Sequence, residues 1–510
     1  MDVLFVNSGA SDKGYFMRYV GPYKIAHWIR KHGYSCQVID FVSQLTEKQI
    51  VAAIEKFITH ETKVIAISTT FLCNFTYPWP NNMYRTMPYE LWSALKYVKN
   101  THPELKFILG GYKAERIHGY GIFDATVMSY TEASEDIFLE YINHIIKGEP
   151  APAVKTHYPE QETLLHENHP RPWYYKANDP VYSIELDDFK FVPQDAILHQ
   201  ETLPLDVSRG CIFACKFCQY PHLGKKKLDY IRGMQYIKEE LIYNYETFGT
   251  FRYWILDDTF NDTEWKLSEF LKVTQELPFK IEYFAYTRAD LIYRFPDMAY
   301  MLKESGCMGA YHGLESLHPE ASNVVGKAWS GKHAREFIPK LYHDIWKKEV
   351  PQHLSFIVGL PGEDEASIRS TKDWFIENQL DSIGFHQLGL YGTDNRNSIY
   401  TIQSEFDKNA EKYGYKFIAI KREGQEMAHD YKVWENDKFD YFQALNLANE
   451  MNDLLLDHTN VGAWSKIVLR RYGFSWDFLQ NTPKSKMPRK YMDKRTAELF
   501  QVYYKKLMRL

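Results

Sequence analysis

The stretch that decides the fold is Leu205-Asp-Val-Ser-Arg-Gly-Cys211-Ile-Phe-Ala-Cys215-Lys-Phe-Cys218. Residues 205–208 read as a strand, and three cysteines in a C-x-x-x-C-x-x-C spacing follow it at once. Three thiolates on one loop suit a soft metal centre. A cubane iron–sulfur cluster held by three thiolates keeps one iron open for a further ligand. The competing reading is zinc: His222 lies four residues beyond Cys218 and completes a Cys3His set. The six cysteines of the 510-residue chain make no disulfide framework, because Cys36, Cys73 and Cys307 are scattered.

Working outward, the next 180 residues repeat one pattern. Strands are expected over 252–257, 282–287, 308–312, 353–358 and 382–388, separated by helical spacing over 230–245, 263–277, 296–304, 332–346 and 364–378. Counting the Cys-loop strand, this makes six βα units, which imply a complete or partial parallel barrel with its chemistry at the strand C-termini. Asp257-Asp258, Arg288, Gly313-Leu314-Glu315-Ser316 and Gly359-Leu360-Pro361-Gly362-Glu363 all stand at such ends. A zinc knuckle gives no reason for that coincidence.

Residues 1–150 alternate in the same way, with strands expected near 4–6, 36–40, 63–68, 105–109 and 124–128. The fold class is therefore α/β throughout: a doubly wound, Rossmann-like parallel sheet first, then the barrel. The first sheet's strand ends carry Ser8, Ser68, Thr69, Gly110, Gly111, Ser129 and Glu132. These are mostly small residues that let a cofactor approach the backbone, or ordinary tight turns. No G-x-G-x-x-G or phosphate loop follows any of the strands, which argues against NAD and ATP there. Residues 151–200 are Pro-rich and read as an extended linker.

Residues 396–510 are aromatic-rich and mostly helical in pattern, a cap or substrate region. The net charge of -5 conceals an uneven distribution. From residue 461 onward there are 12 Lys+Arg against three acids, so the tail is +9 and the remainder -14. A partner of opposite charge, RNA included, is one reading of that tail and a solvated basic face the other. Nucleic acid is not otherwise indicated. Charged residues at 25% and hydrophobic ones at 45% exclude disorder, and the sequence shows neither a membrane span nor a secretory signal, so a cytoplasmic protein is expected.

With these motifs in order, residues 200–395 resemble the radical S-adenosylmethionine (radical SAM) enzymes. The resemblance rests on the Cys motif with Phe217 before its third Cys, on Asp257-Asp258-x-Phe260, on Gly-Leu-Glu-Ser and on Gly-Leu-Pro-Gly-Glu. The N-terminal sheet resembles the subgroup with a cobalamin-binding domain ahead of the barrel. Gly110-Gly111 fits that subgroup's fourth-strand turn, Glu132 alone fits the fifth, and the Asp-x-His-x-x-G motif that gives cobalt a histidine is missing.

The resemblance implies that Cys211, Cys215 and Cys218 hold a 4Fe-4S cluster that binds S-adenosylmethionine. It assigns Glu315 and Ser316, beside Gly313, to the ribose hydroxyls or the methionine amine, or to a buried helix cap. Arg288 faces the methionine carboxylate, or forms a salt bridge to Asp257 or Asp290. Ile357, Gly359 and Pro361 form the adenine wall, with a backbone contact from Tyr220. One of Asp257 and Asp258 is structural and the other faces the site. The reaction implied is cobalamin-dependent methylation of a small-molecule or peptide substrate, with electrons from a reductase or a flavodoxin- or ferredoxin-type donor. Radical cyclisation or rearrangement without active cobalamin is the alternative, and a non-enzymatic metal or cobalamin carrier a further one. Methylthiolation of tRNA fits poorly, because only Cys36 and Cys73 precede the barrel.

Overall fold

The computed structural model describes residues 1–8, 15–70, 87–111, 114, 121–128, 134–152, 173–175, 188–219, 225, 227–327, 329–390, 404–420 and 431–510. Two compact units emerge: Met1–Pro204 with Glu239–Thr250 and Arg489–Leu510, and Leu205–Lys238 with Phe251–Pro488. Among the described residues no helix is long and apolar enough to cross a membrane.

The first unit is built on strands β1 (Val3–Val6), β2 (Cys36–Ile39), β3 (Val64–Ser68), β4 (Lys106–Gly110), β5 (Ala125–Met128) and β6 (Trp173–Tyr175), in the order β2-β1-β3-β4-β5-β6. All its pairings are parallel. Strands buried on both faces must be apolar on both, and Val3, Leu4, Phe5 and Val6 are all buried. The order reverses between β1 and β3, which opens a crevice at their C-termini.

Two features depart from the sequence reading. The Pro-rich stretch contributes β6, because Trp173-Tyr-Tyr is β-prone and adds to the edge of the sheet beside β5. The basic tail ends in a helix, Arg489–Leu507. It belongs to the first unit, where it buries Phe500, Tyr503 and Leu507 in the core with Phe16 and Phe41.

A buried cluster fixes the β2 side of this unit. Arg18, 0% exposed, is bonded at Nε to Glu201 Oε1 at 2.5 Å and donates to the Asp195 and Ala196 carbonyls. Tyr23 donates to Asp40 Oδ2 at 2.7 Å, and the Asp40 N–H donates to the Tyr503 hydroxyl at 2.7 Å. Burial opposes the Arg18 charge, but Glu201, Tyr23 and Asp40 outweigh it and hold the guanidinium charged.

The second sheet is made of β7 (Leu203–Leu205), β8 (Arg252–Ile255), β9 (Glu282–Thr287), β10 (Cys307–Glu315), β11 (Gln352–Val358) and β12 (Ser382–Gln387), each beside its sequence neighbour. Helices fill the connections, as the periodicity requires. Thr263 caps Glu264–Gln275 and Asp364 caps Glu365–Glu377, each through its side-chain oxygen. A hairpin of β13 (Lys416–Ile420) and β14 (Tyr431–Glu435) and the helices Tyr441–Leu454 and Ala463–Arg470 follow. The outer core joins Leu354, Phe356, Val358 and Phe385 to Trp434, Tyr441 and Met451.

Candidate functional site

The C-terminal rim of the second sheet gathers most of the residues that the motifs single out. Asp257, directly after β8, is fully buried and accepts from the Val207 N–H at 3.0 Å, the Ser208 N–H at 2.9 Å and the Ser208 hydroxyl at 2.5 Å. It is thus the structural member of its pair: it pins the root of the Cys loop to β8, whereas Asp258 is exposed. Lys266, on the following helix, completes the anchor. Its ammonium lies 3.0 Å from Asp257 Oδ2, 2.9 Å from Asp262 Oδ1 and 3.1 Å from the Thr259 carbonyl. Burial opposes that charge, and the two carboxylates outweigh it and raise the lysine's pKa.

On the loop itself Cys211 is buried, while Cys215 and Cys218 are half-buried, and all three are free thiols. Burial raises the Cys211 thiol's pKa, opposed by the Thr259 hydroxyl, 3.5 Å from Sγ, and by the Phe213 N–H. The Cys218 N–H donates to the Cys215 carbonyl at 3.0 Å, which turns the loop tightly. Phe217 packs on the outer core.

Among the described residues no group of three or more His, Cys, Asp or Glu is set to hold a single metal ion. His222 and Tyr220 lie outside the described residues. A cubane cluster bonds each thiolate to a different iron, and three thiols on a tight loop beside a buried cation fit that demand.

The cation is Arg288, after β9. Its fork is taken by Asp290, at 3.0 Å from Nε and 2.6 Å from Nη2. The remaining nitrogen, Nη1, reaches Cys215 Sγ at 3.7 Å, and the guanidinium sits 3.9 Å over the Phe213 ring. Of the two roles the sequence leaves open, the geometry builds the salt bridge. Burial opposes the Arg288 charge, but Asp290, Cys215 and Cys211 together raise its pKa.

The two glycine-rich motifs interlock. Ser316 bonds through its hydroxyl to Glu363 Oε1, and the His318 N–H donates to Ser316 Oγ at 2.9 Å. The Ser316 hydroxyl therefore serves the protein. Glu363 is buried, its Oε2 has no partner, and burial lifts its pKa to about 8. Glu315 sits at φ 65°, a left-handed backbone that costs a non-glycine residue about 1–3 kcal/mol. Lys327 Nζ holds its carboxylate at 2.8 Å and also bonds the Gly313 carbonyl. A Cβ at Gly313 would stand 2.4 Å from Glu315 Oε1, so a larger residue there would push that carboxylate aside.

Ile357 and Pro361 are half-buried at the end of β11. Gly359, at φ 102°, follows β11. The close approach it permits is to Trp434, whose Cη2 would lie 2.2 Å from an added Cβ. Its carbonyl accepts from Tyr415 at 2.9 Å and Asn436 at 3.2 Å.

In the first unit, the Ser8 hydroxyl bonds Ser43, and Thr69 Oγ1 donates to the Gly110 carbonyl at 2.7 Å. Ser68 pairs in register with Gly110. Gly111, at φ 90°, packs against Thr70, whose Oγ1 would meet an added Cβ at 2.4 Å. Asn7 donates to Asp40 at 3.0 Å, and its Oδ1 is buried without a partner at the end of β1. Ser129 and Glu132 lie outside the described residues. An orphaned acceptor and small residues at the switch point fit a ligand there; they carry no metal-binding histidine.

Lys266, Lys327 and Phe213 are contributors that the sequence does not single out, whereas Asp290 is one of the two carboxylates it offers Arg288. Each is bound to a motif residue by tertiary contact. The one local hint is that Asp290 stands two residues from Arg288.

Residues 205–375 match the Radical SAM superfamily, and this stretch is a radical SAM domain. The chain is 23% identical over 213 residues to bacteriochlorophyllide d C-12(1)-methyltransferase of Chlorobaculum tepidum, an alignment spanning 41% of this chain and 45% of that protein. It spans about half the length of the curated relatives it matches. The fold is similar to that of the radical S-adenosylmethionine methyltransferase TsrM from Kitasatospora setae, solved with cobalamin and a 4Fe-4S cluster. That match has a TM-score of 0.59, 12% identity, and coverage of 98% of this chain and 100% of that one. It is similar also to the cobalamin-dependent S-adenosylmethionine radical enzyme OxsB, with a TM-score of 0.52, 14% identity, and coverage of 75% and 53%. At such identities the likeness is one of fold alone.

Proposed function

We propose that the chain is a radical SAM enzyme that cleaves S-adenosylmethionine reductively at a 4Fe-4S cluster and, with cobalamin on its first sheet, methylates an unactivated carbon of a small-molecule or peptide substrate. The observation that carries this reading is the meeting of the Cys loop and Arg288 at one sheet end, with a guanidinium nitrogen 3.7 Å from Cys215 Sγ. Cys211, Cys215 and Cys218 hold the cluster, and the cobalamin, cluster and S-adenosylmethionine bound in the similar solved structures support the cofactor set. When bound, these groups supply an organic radical and a transferable methyl group.

The chain's own residues position and shield that chemistry. Arg288 keeps positive charge beside the thiolates, and Asp290 fixes its plane. Glu315, steadied by Lys327, presents a carboxylate edge to the amine or ribose hydroxyls of S-adenosylmethionine. Glu363 acts through Ser316 to fix the same turn. Ile357 and Pro361 wall the adenine, beside the Gly359 bend. On the first sheet Ser8, Ser68, Thr69, Gly110, Gly111, Ser129 and Glu132, with Asn7, border the cobalamin. Electrons come from a reductase or a flavodoxin- or ferredoxin-type protein in a cytoplasm.

One observation favours a second reading, radical cyclisation or rearrangement with cobalamin absent or structural: the Ser8 and Thr69 hydroxyls are already satisfied inside the protein. Anaerobic preparation separates the readings. A brown protein that releases 5′-deoxyadenosine and takes up cobalamin with its visible spectrum supports the first; cleavage without cobalamin uptake supports the second. Cys215→Ala is expected to abolish both iron content and cleavage. A colourless protein with one zinc and no cleavage, or a Cys215→Ala variant that still cleaves, overturns the proposal.

A further inference from the structure

Arg288 is clamped so that one of its nitrogens meets a thiol. Its backbone is clasped by the fully buried Asn261, whose Oδ1 accepts from the Arg288 N–H at 2.8 Å and whose Nδ2 donates to the Arg288 carbonyl at 3.0 Å. Both ions of the Arg288–Asp290 pair are withdrawn from water, with side chains 7% and 4% exposed. Asp290 takes the edge formed by Nε and Nη2, which is an edge that a free carboxylate would need for a two-point grip. The guanidinium also lies 3.9 Å from the Phe213 ring, on the Cys loop itself. The remaining nitrogen, Nη1, reaches Cys215 Sγ at 3.7 Å.

The pair is thus a dipole with a fixed direction. Its positive end faces Cys215, and its negative end, the Asp290 carboxylate, is bound along another edge of the same guanidinium. Burial strengthens the field of such a pair, because little water is left to screen it. Arginine suits the task, since its planar fork stays charged and can hold a carboxylate on one edge while keeping a donor on another. The loop's cysteines are treated unequally: the neighbour of Cys211 Sγ is a neutral hydroxyl, Thr259 Oγ1 at 3.5 Å. Hydrogen bonds to the sulfurs of an iron–sulfur cluster, and its net charge, set its reduction potential. A reduced cluster carries one more negative charge than an oxidised one. A nearby cationic N–H therefore stabilises the reduced state more and raises the potential.

We infer that Arg288 and Asp290 together set the reduction potential of the cluster held on the Cys loop. Arg288 donates through Nη1 to the Cys215 thiolate and makes the one-electron reduction easier. Asp290 moderates that charge and fixes the direction in which it acts. Both are positioning residues, because they act through Cys215 and not on S-adenosylmethionine. The electron that the cluster gains is lost by the donor protein, or in the test tube by a chemical reductant. This deepens the radical SAM reading by assigning control of the same site, and it rests on that reading for the presence of the cluster.

The test is an EPR-monitored redox titration of the full chain, loaded anaerobically with iron and sulfide and titrated with dithionite in the absence of S-adenosylmethionine. Asp290→Asn keeps one acceptor oxygen for the fork but removes the counter-charge, and it is expected to raise the potential. The double variant Arg288→Gln, Asp290→Asn puts neutral amides in place of both ions, and it is expected to lower the potential. Each change is expected to shift the reduction equilibrium about tenfold, which is about 59 mV for one electron. A pair that served only the fold would not move the potential in opposite directions. Iron content and circular dichroism are read on every variant. If the double variant loses its iron, Asp290→Asn carries the test, and a potential that fails to rise there refutes the inference. Unmoved potentials, shifts of one sign in both variants, or loss of iron from both overturn it. A parent chain that takes up no cluster overturns the radical SAM reading as well, whereas a parent cluster whose potential the variants leave alone overturns this inference only.

Discussion

The two parallel sheets end differently. The C-terminal rim of the second is a lattice of charge: Asp257 with Lys266 and Asp262, Arg288 with Asp290, Glu315 with Lys327, Ser316 with Glu363. At the switch point of the first, the rim is made of small and amide residues, Asn7, Ser8, Thr69, Gly110 and Gly111, and its main buried charge, Arg18, stands on the β2 side. The same architecture thus ends in two kinds of rim. A charged rim suits a small zwitterion that needs fixed partners. A rim of small residues suits a large ligand that needs close backbone approach.

The largest test of this contrast is Lys266→Met. It strands two carboxylates in a site fully closed to solvent, so a loss of about 5 kcal/mol is expected in denaturant unfolding of the second unit, with the Cys loop's iron content falling alongside. A loss below about 1 kcal/mol breaks the claim that Asp257 and Lys266 anchor the loop. Arg18→Met applies the same logic to the first unit. Glu201 keeps its bond from the Leu198 N–H at 2.8 Å, so a smaller cost, about 3 kcal/mol, is expected, with iron content unchanged.

Gly359→Ala places a methyl group against the Trp434 ring at a backbone φ of 102°. A loss of about 2 kcal/mol is expected in thermal unfolding, from overpacking and strain. Full stability sinks the packing account of that glycine.

A further effect is a pH dependence. Burial lifts the Glu363 pKa from 4.5 to about 8. A carboxyl whose folded pKa is raised favours the folded state when protonated, so its contribution is present below 4.5 and lost as pH rises to about 8. Glu363→Gln keeps the Ser316 bond and removes the titration, so its unfolding midpoint relative to the parent should rise steadily from pH 5 to pH 8. A pH-independent difference refutes the burial of an unpartnered carboxyl oxygen.

Much of the second unit was legible in sequence, because its elements are long, strongly periodic and punctuated by caps such as Thr263 and Asp364. The Cys spacing and the motif order also put the candidate site at the strand ends. What escaped was partnership. Lys327 lies 12 residues from Glu315, and Trp434 lies 75 from Gly359. Neither carries a local signature, since a long side chain reports nothing of where it will be buried. The β6 strand was hidden for a related reason: its aromatic triplet sits among prolines, and only the open edge of β5 makes it a strand.

Local chemistry settled what the chain alone could settle. Alternating periods give parallel sheets, clustered thiols give a soft-metal loop, and glycines mark the turns after strands. Tertiary structure decided the rest: which of Asp257 and Asp258 is buried, that the Arg288 fork belongs to Asp290, and that Ser316 serves Glu363. These choices depend on desolvation and on partners distant in sequence. A charge takes its role from what is left to neutralise it once water is gone, and that is known only when the chain has folded.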